Sequence, residues 1–268
     1  MNVLRILWEM IMKNQAPIPL SVAIITKNEE ERLSDCLKSV HFAQEVLVVD
    51  DNSTDRTREI AKSFGARVLI EPWRGFSGQK QYAVDQCAND WVLILDADER
   101  IPQETAAAIH LAMNDENQNI TAYSFKRKNF LHGRWIRHCG WWPDPVVRLV
   151  DRTSGAFDGR PVHERWLTEG SIQAFDVAIE HLSFRNYSEL VEKMERYSNL
   201  GASELCHKKN HSHALTPISH GCWMFLRTFI LELGALDGFD GFVISIMNAG
   251  GSFFKYAKFR EMKKYGRY

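Results

Sequence analysis

Two aspartates one residue apart close the apolar run VLILDADER, residues 92–100. Extended chain places alternate side chains on one face, so Asp96 and Asp98 are expected to point the same way. Carboxylates held together repel and resist desolvation unless something positive sits between them. A divalent cation would satisfy the pair, and so would solvent at a strand end. Polar residues also gather after two other apolar runs, as Thr26-Lys27-Asn28-Glu29 and as Asp50 to Asp55. A single acid in such a place, Asp55 for instance, reads as a helix cap. Three clusters on one sheet edge point instead to a ligand site beyond the carboxyl ends of the strands. Neither G-x-G-x-x-G nor G-x-x-x-x-G-K-[ST] occurs, so a dinucleotide site or a P-loop has no support. A phosphate-bearing ligand would then need a metal, and oxygen ligands such as Asp98 suit Mg²⁺ or Mn²⁺.

The elements that must position these residues alternate from Leu20 onward. LSVAIIT (20–26), EVLVVD (45–50), ARVLI (66–70) and WVLIL (91–95) read as strands. The first, second and fourth are nearly all apolar, as in a parallel sheet buried on both faces. Between them, EEERLSDCLKSV reads as a helix, Ser53 or Thr54 is expected to cap a second through Phe64, and a third spans roughly 77–88. Pro102 is expected at the first position of another. This repetition predicts an α/β, right-handed, doubly wound and mostly parallel sheet. After about residue 120 the rhythm breaks into strands (121–130, 146–151, 172–182), a Trp- and Gly-rich loop, and a helix over 188–208. The expected domains are an amphipathic segment at 1–19, a catalytic domain at 20–185 and a C-terminal helical region at 186–268.

Bulk properties narrow the class. The chain has 268 residues, is 45% hydrophobic and 25% charged, and carries a net charge of −1. Any affinity for membranes or nucleic acid must therefore be local. Five cysteines without regular spacing favour reduced thiols in a cytosolic protein. The opening MNVLRILWEMIM contains Arg5 and Glu9, lacks a cleavage site and does not read as a signal peptide.

SVAIITKNEE, EVLVVDDNSTDRT, GQKQYAV and WVLILDADE occur in the order found in family 2 glycosyltransferases of GT-A fold, which the chain resembles over about residues 20–185. The resemblance implies a nucleotide-sugar donor, inversion at the anomeric carbon and a divalent cation. It assigns Thr26, Asn28 and Glu29 to the donor pocket and Asp51 to the base. Lys80, standing where the family often has Arg, would face the nucleotide or its phosphates. Gln81 stands at a frequent Asn. Asp96 would hold the ribose or a metal water, with Ala97 beside it. Asp98 and His181 would ligate the metal. GWWPDPVVRLVDR, GRPVHER and LDGFDG are most similar to bacterial lipopolysaccharide inner-core transferases that add a hexose, here glucose from UDP-glucose, to heptose. An acceptor hydroxyl needs a base: Glu164 is the first candidate and Asp144 the rival. A polyprenyl-phosphate glycosyltransferase and a non-catalytic sugar-nucleotide-binding protein are the alternatives.

Residues 118–142 contain no acid but carry Lys126, Arg127, Lys128, Arg134 and Arg137 among Phe130, Trp135, Trp141 and Trp142. Cations for phosphate and aromatic faces for sugar rings suit an anionic glycolipid, so Arg127, Arg134, Trp141, Trp142 and Arg148 are expected at the acceptor. No nucleic-acid motif accompanies them. CWMFLRTFILELGAL (222–236) is too short to span a bilayer, the next apolar stretch is expected to break at Gly250-Gly251, and residues 255–268 hold six basic residues against one acid. Two interfacial helices resting on the anionic cytoplasmic leaflet of the inner membrane are expected. The histidines and cysteines of 206–222 fit no zinc spacing.

Overall fold

The computed structural model describes residues 17–114, 119–160, 164–207 and 213–266; the expected opening helix lies outside them. The described chain forms two compact units, one holding the residues up to Arg127 together with Pro145–His181, the other Lys128–Asp144 and the chain from Leu182 onward.

In the first unit β1 (Ile18–Thr26), β2 (Ala43–Asp50), β3 (Arg67–Ile70) and β4 (Trp91–Asp96) pair in parallel, in the order β3-β2-β1-β4. Between them run helices α1 (Leu33–Ser39), α2 (Thr57–Ser63) and α3 (Gly75–Asp85), and β5 (Glu99–Arg100) and α4 (Gln103–Met113) follow. Alternation divides the strands between two cores. Val22, Ile24, Leu93 and Leu95 pack with Leu33, Leu37 and Ile109, whereas Ala23, Ile25, Val92 and Ile94 pack with Ala83 and Val84. Both faces of the sheet are therefore buried, which explains strands with no polar alternation. Each such Leu, Ile or Val removed from water contributes about 1.5–3 kcal/mol. β6 (Ile120–Leu131), the short β7 (Arg134–Trp135), β8 (Val146–Asp151), β9 (Gly155–Phe157), β10 (Trp166–Thr168) and β11 (Ser171–Phe184) complete the strands. β8 joins β4 antiparallel and β6 joins β8 antiparallel, so β6 points the same way as the first four.

Three local expectations are corrected. The first helix starts at Leu33 rather than Glu29; ahead of it Glu29 N donates to Thr57 Oγ1 and Glu30 N to Asp55 Oδ2, which ties this turn to the loop after β2. Asp55, not Ser53 or Thr54, accepts the N–H of Thr57 at the start of α2, at 3.0 Å. Pro102 is the residue before α4, with an extended ψ of 157°.

In the second unit Leu131 pairs with Arg134 across a two-residue turn, His132-Gly133, in which both φ values are positive. That is the backbone of a tight hairpin. Helices α5 (Tyr187–His207), α6 (Thr216–Leu226) and α7 (Gly238–Tyr265) follow, with a π turn at Arg227–Leu231 and a 3₁₀ turn at Gly234–Asp237 between the last two. Leu131, Ile136, Cys139, Phe184, Leu190 and Ile244 form their core. The break expected at Gly250-Gly251 does not occur. α7 continues through both glycines, over which α5 lays Met194, 3.7 and 3.4 Å from where their Cβ atoms would stand. Among the described residues no helix is long and apolar enough to cross a membrane.

Candidate active site

The loops after β1 and β2 are built as a pair. Asp50, fully buried, accepts from Ser53 N at 2.9 Å, from the Ser53 hydroxyl and from Thr26 Oγ1 at 3.2 Å. Asn28 N donates to Ser53 Oγ at 2.8 Å, and Asn28 Oδ1 accepts from Thr54 N at 2.8 Å. Asn28 and Asn52 both adopt left-handed φ, 54° and 49°, a region asparagine tolerates well. Thr26, Asn28 and Glu29 thus give hydroxyl, amide and backbone groups to the shape of the edge. Asp51, buried just beyond the end of β2, accepts from Lys27 Nζ at 2.6 Å and Trp73 N at 3.2 Å. Lys27, the nearest charge, holds its carboxyl below the usual aspartate range. Trp73, half exposed beside Asp51, is a neighbour the sequence did not single out.

At the end of β4 the strand stops at Asp96, and Ala97-Asp98 form a turn into β5. The two aspartates therefore do not project side by side from one extended strand, as had been expected, and each meets its own cations. Asp96 lies 3.1 Å from Lys80 Nζ and 2.8 Å from Arg148 Nη2. Asp98 lies 3.3 Å from His181 Nε2 and 3.8 Å from Arg32 Nη1. Burial raises the pKa of both, but Lys80 and Arg148 outweigh it at Asp96, and His181 does so at Asp98, leaving both below the ordinary range.

Lys80 joins the second half of the cluster. Projecting from α3, it is 2% exposed and also bonds Glu164 Oε1 at 2.8 Å. Glu164 therefore stands one ammonium away from Asp96, although 68 residues separate them in the chain. Asp144, the rival base, falls in the second unit and accepts from Asn129 Nδ2 at 2.9 Å. Glu99, read only as part of an acidic cluster, is fully buried; both its oxygens bond Arg148, at 2.8 and 2.9 Å, and it accepts from Asp96 N at 3.1 Å. A third carboxylate directly after Asp-x-Asp was the available signal that a buried partner is needed; the partner, Arg148, arrives from β8.

The expected acceptor residues separate. Arg148 is buried and turned to Asp96 and Glu99, so it is not presented as an acceptor cation. Arg127 Nη1 lies 3.4 Å from Glu99. In the second unit, Arg134 meets Asp240 at 3.0 Å, Trp141 packs on Phe184, and Trp142 sets an edge on Trp135, itself flanked by Lys128 and Arg137. Gln81 serves structure: it donates to Asp85 and accepts from Phe157 N. Ala97 is buried in the core.

The donor chemistry fits a divalent cation. Asp98 Oδ2 and His181 Nε2 are 3.3 Å apart, close to the roughly 3 Å between neighbouring ligands of an octahedral ion with bonds of about 2.1 Å. No group of three His, Cys, Asp or Glu converges among the described residues, so substrate phosphates and water would complete the shell, as is usual for Mg²⁺.

Comparison with known proteins adds relationship to geometry. The Glycosyl transferase family 2 model matches residues 21–158. A glycosyltransferase of Rickettsia typhi is 34% identical over 254 residues, covering 91% of this chain and 87% of that protein. LpsC of Rhizobium meliloti, a lipopolysaccharide core biosynthesis glycosyltransferase, is 31% identical over 255 residues, 90% of this chain and 92% of its own. Among solved structures, residues 1–349 of S. aureus TarS in complex with UDP are 15% identical over 94% of this chain and 93% of that one, with a TM-score of 0.45. With more than half of its length matched by the family model, and relatives above 30% identity along nearly all of it, this chain belongs to glycosyl transferase family 2 and is a glycosyltransferase with the α/β architecture of a GT-A fold.

Proposed function

We propose that the protein transfers a hexose, glucose from UDP-glucose, to the heptose of a lipopolysaccharide inner core, with inversion at the anomeric carbon. The catalytic assignment rests above all on Lys80, whose one buried ammonium touches both Asp96 and Glu164. Similarity to LpsC along nine-tenths of both chains supports the glycolipid acceptor.

In this reading the nucleotide lies on the edge formed by the loops after β1 and β2, with Asp51 toward the base and Asp96 toward the ribose. Lys80 lends positive charge to the diphosphate. Asp98 and His181 would hold a divalent cation, Mn²⁺ or Mg²⁺, which would supply Lewis-acid stabilisation of the diphosphate's charge. Glu164 takes the proton of the acceptor hydroxyl as the new bond forms on the face opposite the leaving group. One displacement of this kind inverts the anomeric centre. Arg134, Trp141 and Trp142 serve the anionic core oligosaccharide, with no role for nucleic acid, and the enzyme works peripherally at the cytoplasmic leaflet of the inner membrane.

Glu164→Gln tests the assignment. Transfer from UDP-glucose to heptose-terminated core lipopolysaccharide should fall by 10²–10⁴-fold, the range for loss of a general base, while UDP affinity stays within about twofold. Turnover near wild type would exclude Glu164 as the base.

A further inference from the structure

The second unit carries an apolar edge that its own core does not cover. Between α6 and α7 the chain exposes Ile230, Leu231, Leu233 and Leu236, and in the first turn of α7 Phe239, each more than half accessible, and Trp223 on α6 is 55% accessible. Beside them α6 and α7 enclose a groove of about 400 Å³, walled by Ile218, Cys222, Phe225, Ile246 and Phe253. Monomeric soluble proteins rarely leave so many large apolar side chains together in water.

Charge indicates what covers this edge. The three acids between residues 213 and 260 are held by partners: Glu232 meets Arg227 at 2.8 Å, Asp240 meets Arg134 at 3.0 Å, and Asp237 is buried against the backbone of Arg137 and His138. Beyond the apolar half of α7, residues 255–264 carry Lys255, Lys258, Arg260, Lys263 and Lys264 against the single acid Glu261, with Lys258 met by Glu195 of α5 at 2.8 Å. An apolar edge without a protruding acid, continued by a cationic helix end, complements an anionic lipid surface rather than an acidic or mixed protein face. Each Lys or Arg near such a surface adds about a further fivefold in affinity.

The same segment also holds the basic aromatic loop. Asp237 accepts from His138 N at 2.8 Å and Arg137 N at 3.4 Å, Cys139 N donates to Glu232 O at 3.0 Å, and Asp240 accepts from Tyr187 Oη at 2.7 Å as well as from Arg134. The LDGFDG motif is therefore the brace between the apolar edge and the loop that carries Arg134 to Trp142.

We infer that residues 223–242 form a membrane-seating edge that docks on an anionic bilayer and, through Asp237 and Asp240, fixes the height at which loop 134–142 meets a lipid-borne acceptor. The second clause rests on the acceptor reading above; the docking itself does not.

Flotation of the full chain with vesicles of phosphatidylglycerol and phosphatidylethanolamine, against phosphatidylcholine alone, tests the docking. The protein should float with the anionic vesicles and lose most of that binding in 0.5 M salt. The triple variant Leu231→Ser/Leu236→Ser/Phe239→Ser should bind them on the order of a hundredfold more weakly. Its UDP affinity should match wild type, which separates lost docking from lost folding and from failure of the transferase assignment. A second readout uses Cys222, exposed in the groove wall while Cys36, Cys87 and Cys139 are buried and Cys206 is half-buried: in a Cys206→Ser background, anionic vesicles should slow alkylation of Cys222 by a water-soluble maleimide at least tenfold. Wild-type protein that stays with the buffer, or a dimer that hides Cys222 without lipid and separates in the triple variant, would overturn the inference.

Discussion

The two units treat their awkward side chains in opposite ways. Around β4 the first unit brings Asp96, Asp98, Glu99 and Glu164 together and compensates them from within, using Lys80, Arg148, Arg127, Arg32 and His181. Around the turns between α6 and α7 the second unit pairs its acids with local donors, burying only Asp237 of the three, and leaves leucine, isoleucine and phenylalanine in water. Buried charge must be matched before a substrate arrives, because an unpaired ion in low dielectric costs several kcal/mol. Exposed apolar area carries no comparable penalty for folding and can wait for a surface. The first arrangement makes a rigid, pre-set place for charge; the second makes an edge whose value is realised only on contact.

Substitutions can break or sharpen that contrast. The largest effect is expected from Lys80→Met, which strips the shared cation from Asp96 and Glu164; unfolding in urea should show a loss of about 3–5 kcal/mol. Acid is the next lever. Burial opposes ionisation of Asp96 and Asp98, yet Lys80 and Arg148 at one and His181 at the other hold both pKa values below 3.8. Because the folded values are depressed, their stabilisation is fully present above the unfolded value and is lost as pH falls through the folded ones. Chemical denaturation followed from pH 7 to pH 3 should show that part of the stability intact down to about pH 4.5. In the second unit Asp237→Ala removes the acceptor of two backbone N–H groups and should cost about 1–3 kcal/mol in the same assay. Leu236→Ser, at a position 65% accessible, should change stability by less than about 0.5 kcal/mol. A large loss there would mean that the apolar edge is part of the fold and not a docking surface.

How much of this was legible in the sequence follows from the range of each interaction. β1 and β4 are continuous apolar runs, and both appear where the pattern placed them because two-sided burial leaves that trace in a single segment. VVRLVD emerges as β8 with the boundaries read from its residues. The departures are decided by partners distant in the chain. The stretch 29–32 looks helical by composition, but it forms a turn whose Glu29 and Glu30 N–H groups are held by Thr57 and Asp55. Gly250-Gly251 looks like a break, but α5 covers it. The acids of DADER were legible as a chemical cluster; their individual cations were not, since Lys80, Arg148 and His181 arrive from three separate elements. Arg148, expected at the acceptor as a cation, is spent on Glu99 and Asp96. Charge in a sequence shows that a partner is needed and does not show which one is met.

On the proposed reading, the carboxylates after β4 hold a nucleoside diphosphate with the help of a divalent cation. Calorimetric titration of UDP into wild type and Asp98→Asn, each with and without Mn²⁺, tests it most directly. Binding to wild type that requires Mn²⁺ and weakens at least tenfold in Asp98→Asn is the expected result. UDP affinity that is indifferent to Mn²⁺, or equal in the two proteins, would contradict it.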